Sequence, residues 1–300
     1  MKIKKSSGYR AFTFFNYIFM IFIIIVMLYP YLSVLAKAFN EGADTARGGI
    51  TIFPRKVTFD NFKTILGEAS FKKSLIVSVT RVITGVLFGL YVQFTAAYAL
   101  TRRKFPFKGF ILMLFVVPMY ISAGQIPTYV LYSKIKLLNT FWVYILPVLF
   151  SFYNITVIRT YMQTTIPESL YESAFLDGAN EITIFWRICI PLCMPIMATV
   201  ALWIMVQHWN DWTTTLYYIR KPALFTLQYK MMELVKESER LQKLIEAARE
   251  MGQELDNSTA PTSEALTSAQ IIVTTVPIIC VYPFLQKYFV KGVMLGAVKG

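Results

Sequence analysis

Histidine is nearly absent from this chain: His208 is the only one in 300 residues. A serine–histidine–acid set or a histidine-built metal centre has almost nothing to draw on, so neither hydrolase chemistry nor a metal site is expected. Cysteine is scarce as well. Cys189, Cys193 and Cys280 lie in or beside apolar runs, and a Cys-x3-Cys pair without further ligands does not make a zinc site. The three read as small buried hydrophobes. No G-x-x-x-x-G-K-[ST] run occurs, so the chain carries no phosphate loop of its own. Charge is sparse at 16%, and acids are outnumbered, 17 Asp and Glu against 30 Lys and Arg. The first four apolar runs hold no mid-run Asp or Glu. An ion-coupled carrier would need such acids and a channel would need rings of charge, so both are disfavoured.

What remains is membrane composition. The chain is 56% hydrophobic with a mean hydropathy of +0.51, outside the soluble globular range. Runs of about 20 apolar residues cross a hydrocarbon core of about 30 Å. Six candidates stand at about 11–38, 74–100, 108–132, 139–163, 188–217 and 266–290. The expectation is an all-α membrane protein with six transmembrane helices. A short N-terminus (1–10) precedes a single transmembrane domain (11–300), with outer segments at 40–73 and 218–262 and a cytoplasmic segment at 165–190. Lys2, Lys4 and Lys5 resemble the basic start of a signal peptide. The apolar run from Phe12 to Leu35 is too long for one, however, and no small-residue cleavage site follows, so it reads as a retained span.

The net charge of +13 follows the same topology. Lys2, Lys4, Lys5 and Arg10 precede the first span. Arg102, Arg103, Lys104 and Lys108 fill the turn after the second, and Lys287, Lys291 and Lys299 follow the last. By the positive-inside rule these belong to the cytoplasm, which places both termini there. The basic residues set orientation, and nucleic acid is not an expected partner.

Within the second run Arg81 and Gln93 stand out; Arg81, about two turns inside the outer boundary, is expected to snorkel to the headgroups. Pro118, Pro127 and Pro147 predict kinks in spans three and four. From Leu227 to Leu255 charged residues alternate with apolar ones at helical spacing, predicting an amphipathic outer helix or hairpin. The segment between spans four and five has its own local chemistry. Thr165 and Glu168 fit a capping box, with Pro167 harmless in the first turn. Gly178 is a C-cap candidate, Asn180 can cap a second short helix through Phe185 and Ile188, and Pro191 opens span five. Two short capped helices make a rigid knob between two spans.

At this knob the residues resemble a known family. Glu172, Ser173, Ala174, Asp177, Gly178 and Ala179, followed by Phe185, Ile188, Pro191 and Pro195, are similar to the EAA loop in permease subunits of bacterial ABC importers. The chain resembles the carbohydrate branch more specifically: the maltose-type inner permeases and the LplC-like oligosaccharide permeases. Further matches run in order along the chain: Phe53 with Pro54, Asn61 with Phe62, the stretch from Tyr98 to Leu100, Pro127 with Tyr129, and the stretch from Leu138 to Thr140. After them come Ile145 to Pro147, Trp209 with Asn210, Tyr288 to Gly292, and the ending from Ala297 to Gly300. Ser173 stands where Ala is usual and Ile190 where Leu is usual; both changes keep size and polarity close.

The resemblance implies a type I importer architecture in the bacterial cytoplasmic membrane. Two permeases would face each other across a pathway, an extracytoplasmic sugar-binding protein would deliver substrate, and two partner ATPases would bind ATP and Mg. This chain itself would need no cofactor and would not be an enzyme. Glu172 would pair with a basic residue of the ATPase, Gly178 would set the angle between the helices, and Ala174 and Ala179 would permit close backbone approach. For a sugar, which presents C–H patches and hydroxyl rims, Gln207, Trp209, Asn210 and Trp212 have suitable chemistry. Tyr120, Gln125, Tyr153 and Asn154 are additional candidates. Each has a bland counterpart as interfacial aromatic or interhelical amide. Asp211 is expensive if submerged and otherwise marks the outer boundary.

Overall fold

Backbone in hydrocarbon has no water to bond with, so these apolar runs close their hydrogen bonds within helices. The computed structural model describes residues 7–45, 47–102, 105–121, 123–250 and 260–297. Lys2, Lys4, Lys5, Arg103, Lys104, Lys299 and the last residues of the tail motif lie outside them. The helices are α1 (Ser7–Ala38), α2 (Gly42–Thr45), α3 (Asp60–Gly67), α4 (Ala69–Thr101), α5 (Lys108–Tyr120), α6 (Gln125–Lys134) and α7 (Phe152–Thr165). They continue with α8 (Glu168–Leu176), α9 (Glu181–Ile184), α10 (Ile190–Leu192), α11 (Met194–Asn210), α12 (Thr213–Tyr218), α13 (Leu227–Glu250) and α14 (Ala260–Ala297). Among the described residues the only β pairing is an isolated bridge between Asn40 and Val57. The protein is an all-α membrane protein.

Three helical stretches are long and apolar enough to cross a membrane alone: Gly8–Ala38, Ala69–Thr101 and Glu264–Val281. Three bent pairs qualify together, Lys108–Tyr120 with Gln125–Lys134, Phe141–Val148 with Phe152–Thr165, and Glu181–Leu192 with Met194–Asn210, giving up to six spans. Proline lies at two of the three bends. Pro147 sits in the 3₁₀ turn Leu146–Val148 at a 48° bend. Pro195 cannot donate to the carbonyl of Pro191 and its ring crowds that carbonyl. The helix therefore breaks at Cys193 and turns by 81°. One turn earlier Pro191 deprives Arg187 of its donor, and the backbone widens into a π turn over Phe185–Cys189.

The chain divides into two units. One comprises residues 1–69 and 231–276. Along most of α1 large apolar side chains are exposed, Phe12, Phe15 and Met27 among them, a surface that suits hydrocarbon rather than water. Where α1 ends, Asn61 donates from Nδ2 to the carbonyls of Ala38 and Asn40 at 3.0 and 2.8 Å, meeting acceptors the helix leaves open. Phe62 packs its ring on Phe39. Asn40 accepts from the amides of Arg55 and Lys56, each at 2.8 Å, and donates to Asp44. Two of the motif pairs, Asn61 with Phe62 and Phe53 with Pro54, thus belong to one locked turn or its edge. Lys37 pairs with Glu264 across this unit at 2.7 Å.

The other unit comprises residues 70–230 and 277–300. Its core is continuous from α4 (Phe94, Ala97) through α7 (Ile155, Ile158) to α11 (Val200, Ile204), and takes in Tyr171 and Ala174 of α8. A second cluster gathers Leu137, Val143, Tyr144, Ile145 and Ile219. Asn139, in the left-handed region at φ 58, donates its amide to Tyr218 O at 3.0 Å and accepts the amide of Arg220. That ties the turn before the fourth candidate span to the segment after α12.

Candidate functional site

The segment between α7 and α11 is built from local signals. Thr165 does not cap a helix, contrary to the capping-box expectation: it ends α7. Ile166 is extended because the residue before a proline is pushed out of the helical region. Pro167 then leads into α8, which starts at Glu168 with no side-chain cap. At the other end Gly178 takes φ +81, its amide bonds Phe175 O at 3.0 Å, and the amide of Ala179 bonds Ala174 O at 2.9 Å. That pair of bonds is a Schellman closure, which asks for glycine at the left-handed position. Asn180 Oδ1 accepts from the Thr183 amide at 2.8 Å and starts α9.

The faces of this foot are distinct. Tyr171, Ala174 and Phe185 point into the unit's core, with Phe185 against Tyr98 at 5.2 Å between centroids. Ala179 packs on the same core. The two alanines therefore let the foot approach its own spans. Glu172, Ser173 and Asp177 are exposed, beside Leu176 at 90%, Ile182 at 71% and Trp186 at 53%. Pro191 is also exposed. Burial, then the contact with Cys189 at 3.3 Å, pushes the Tyr171 phenol above its ordinary value, so it stays neutral within the packing.

An anchor that sequence reasoning missed holds the foot from behind. Glu181 accepts from the Tyr98 hydroxyl and, at 3.2 Å, from Arg102 Nε. The Arg102 guanidinium lies 4.6 Å from the Tyr171 ring centroid and 5.3 Å from that of Phe175. Its only signal in the sequence is Tyr98 followed by the basic turn after α4, a pattern that family likeness and orientation already account for.

Far along α4 the structure overturns the snorkelling expectation for Arg81. Its side chain is 2% exposed. The guanidinium pairs with the Asp211 carboxylate, donates to Asp211 O at 2.9 Å and to His208 Nδ1 at 3.3 Å, and lies 4.4 Å from the Tyr144 centroid. Asp211 also accepts from the Thr214 amide at 3.1 Å. Arg81 turns inward because Asp211, where α11 stops, offers a charge partner within hydrogen-bonding reach.

The sequence-nominated path residues separate around this cluster. Trp209 is buried beside a cleft of about 120 Å³ lined by Val79, Ile83, Met205 and Pro277. Asn154 is buried and donates to Gln93 Oε1 at 3.0 Å, while Gln93 donates to Leu149 O at 3.0 Å: an interhelical amide lock. Gln207, Asn210, Gln125, Tyr120 and Tyr153 are exposed, and Trp212 is half-buried. Tyr153 rests on Trp203, and Asn210 accepts from Gln228 at 3.4 Å.

Proline-broken apolar helices joined through a capped foot are the build of a multi-pass helical membrane protein. The chain belongs to the family of binding-protein-dependent transport system inner membrane components, whose profile matches residues 82–295. It is 34% identical to Protein LplC of Bacillus subtilis over 97% of this chain and 96% of that one. It is 31% identical to the polygalacturonan/rhamnogalacturonan transport system permease protein YtcP of the same organism, over 97% and 99%. A chain from the crystal structure of a bacterial ABC transporter involved in the import of the acidic polysaccharide alginate shares the fold. Its TM-score is 0.83 at 23% identity, covering 96% of this chain and all of that one.

Proposed function

We propose that this chain is the transmembrane permease subunit of an ATP-driven importer that carries an oligosaccharide inward from an extracytoplasmic binding protein. The family's description as binding-protein-dependent, and a relative named for transport of polygalacturonan and rhamnogalacturonan, support the class of partner and of cargo. The spans run six times through the cytoplasmic membrane at the boundaries read from sequence. Both termini and the foot lie in the cytoplasm, and 40–73 and 218–262 lie outside. A second permease completes the pathway, and two partner ATPases bind ATP and Mg and perform the hydrolysis.

One observation carries this reading. The foot is welded to the core of its own unit on one side and presents Glu172, Leu176 and Ile182 on the other. A rigid part with an unpartnered amphipathic face suits the groove of a subunit that pushes on it. When ATP draws the ATPases together, each foot moves as a body and the spans above exchange between discrete packings. Asn210, Gln207 and Trp212 are assigned to the sugar path. Glu172→Ala is expected to lower co-purification of the ATPase, and Asn210→Ala to lower uptake while the assembled complex stays intact. Normal co-purification and normal uptake in Glu172→Ala would remove the foot from the mechanism.

A further inference from the structure

Behind the foot, three span ends enclose a second feature. A polar cavity of about 330 Å³ is lined by Arg102 at the end of α4, Lys108 opening α5, Met162 and Gln163 near the end of α7, and Ile166 and Glu168 leading into α8. Because α4 and α7 finish here and α5 begins here, the cavity lies at the level where spans leave hydrocarbon for headgroups. Cations outnumber carboxylates around it. Arg102 is engaged by Glu181. Lys108 bonds Thr101 O only at 3.5 Å and feels both Arg159 and Glu168, while Arg159 Nε is held by Leu100 O at 3.1 Å. Among the described residues, three cations thus share two carboxylates here. The floor, in contrast, is apolar, formed by Met162 and Ile166. The start of α5 turns Phe107 and Phe110 outward, at 82% and 67% exposure.

A cationic rim, an apolar floor and an adjoining greasy surface match an amphiphile with an anionic head. We propose that this cavity seats the phosphodiester headgroup of an anionic phospholipid of the inner leaflet. Lys108 is the chief phosphate anchor, Arg102 is beside it, Gln163 faces the headgroup hydroxyls, and the acyl chains lie along Phe110. Basic pockets between spans on the cytoplasmic side are suited to such headgroups. Free phosphate shares the charge but gains nothing from the apolar floor or from α5. The inference rests on the cytoplasmic placement of the foot proposed above.

The test uses the whole importer, purified and placed in nanodiscs of phosphatidylcholine with or without phosphatidylglycerol, with retained lipid counted by native mass spectrometry. The wild type is expected to retain phosphatidylglycerol in preference to phosphatidylcholine. Lys108→Gln should cut that retention about fivefold, and Lys108→Arg should keep it. Gln163→Glu adds a negative charge at an exposed position of the rim and should cut retention similarly, which covers the case in which Lys108→Gln fails to assemble. Equal retention by the wild type and both weakened variants, or no preference between the lipids, overturns the proposal. So does stabilisation by inorganic phosphate that depends on Lys108 while lipid retention does not. Glu172 lies outside the cavity, so Glu172→Ala separates the readings: ATPase attachment tests the foot, and retained phosphatidylglycerol tests the cavity.

Discussion

Arg81, about a third of the way along α4, and Arg102, just past its end, stand about 30 Å apart along the axis. Each is bonded to a carboxylate from the later half of the chain and each faces aromatic rings. Their surroundings differ. Arg81 is 2% exposed and Asp211 20%, whereas Arg102 is 19% exposed and Glu181 52%. In the first pair Arg81 has given up its water and depends on the protein for every bond. The second keeps water as an alternative partner. Deleting a member of the first strands a buried charge, while deleting a member of the second leaves a solvated one. The Arg81 cluster is therefore a fixed structural joint, and the Arg102 pair a weaker, water-accessible brace on the foot.

Arg81→Met tests the contrast hardest: it should destabilise the subunit by about 3–5 kcal/mol, seen as a lowered melting temperature in detergent. Pairing it with Asp211→Leu should recover much of the loss, because the stranded carboxylate goes with it. A single mutant as stable as the wild type would erase the distinction. Gly85→Ala comes next, at about 1–3 kcal/mol, because a Cβ there would stand 2.2 Å from His208 Nε2. Gly178→Ala should cost about 1–2 kcal/mol through its positive φ alone, with open space around the added methyl. It should loosen the foot in hydrogen exchange before the melting point moves. Glu181→Gln at the half-exposed pair should cost only about 0.2–1 kcal/mol. If it matched Arg81→Met, the Arg102 pair would be no less committed to the protein than the Arg81 pair.

The smallest effect lies in the turn after α1, in the other unit. A hydrogen bond from Asn40, with the Arg55 charge behind it, holds the Asp44 carboxyl below its ordinary value of 3.8. A carboxylate with a lowered folded pKa stabilises above its unfolded value, and that contribution disappears as pH falls through the folded one. Protease resistance of this turn should therefore fall at the acid end, and Asp44→Asn should flatten the dependence.

What could be read from sequence was what the chain decides over a few residues. Gly178 and Asn180 terminate and start helices through bonds spanning five residues or fewer, and both were visible. The Thr165 capping box was visible too but wrong, although the correcting signal lay next to it: Pro167 forbids helix at Ile166. The pairing of Arg81 with Asp211 joins residues 130 apart, and no periodicity reports a partner at that distance. An amide or an indole has the same composition whether it meets a sugar or another helix, so the contacts of Asn154 with Gln93 and of Trp209 with the apolar cleft carried no signal in the sequence.

The absent methyl at Gly85 has a mechanical consequence. With the imidazole of His208 occupying the space a side chain would fill, α4 and α11 touch backbone to ring and have no slack there. Separation would break the Arg81 cluster beside it, and closer approach is sterically blocked. The contact therefore sets how near the two helices can come at this level, and any rearrangement of one against the other has to respect it.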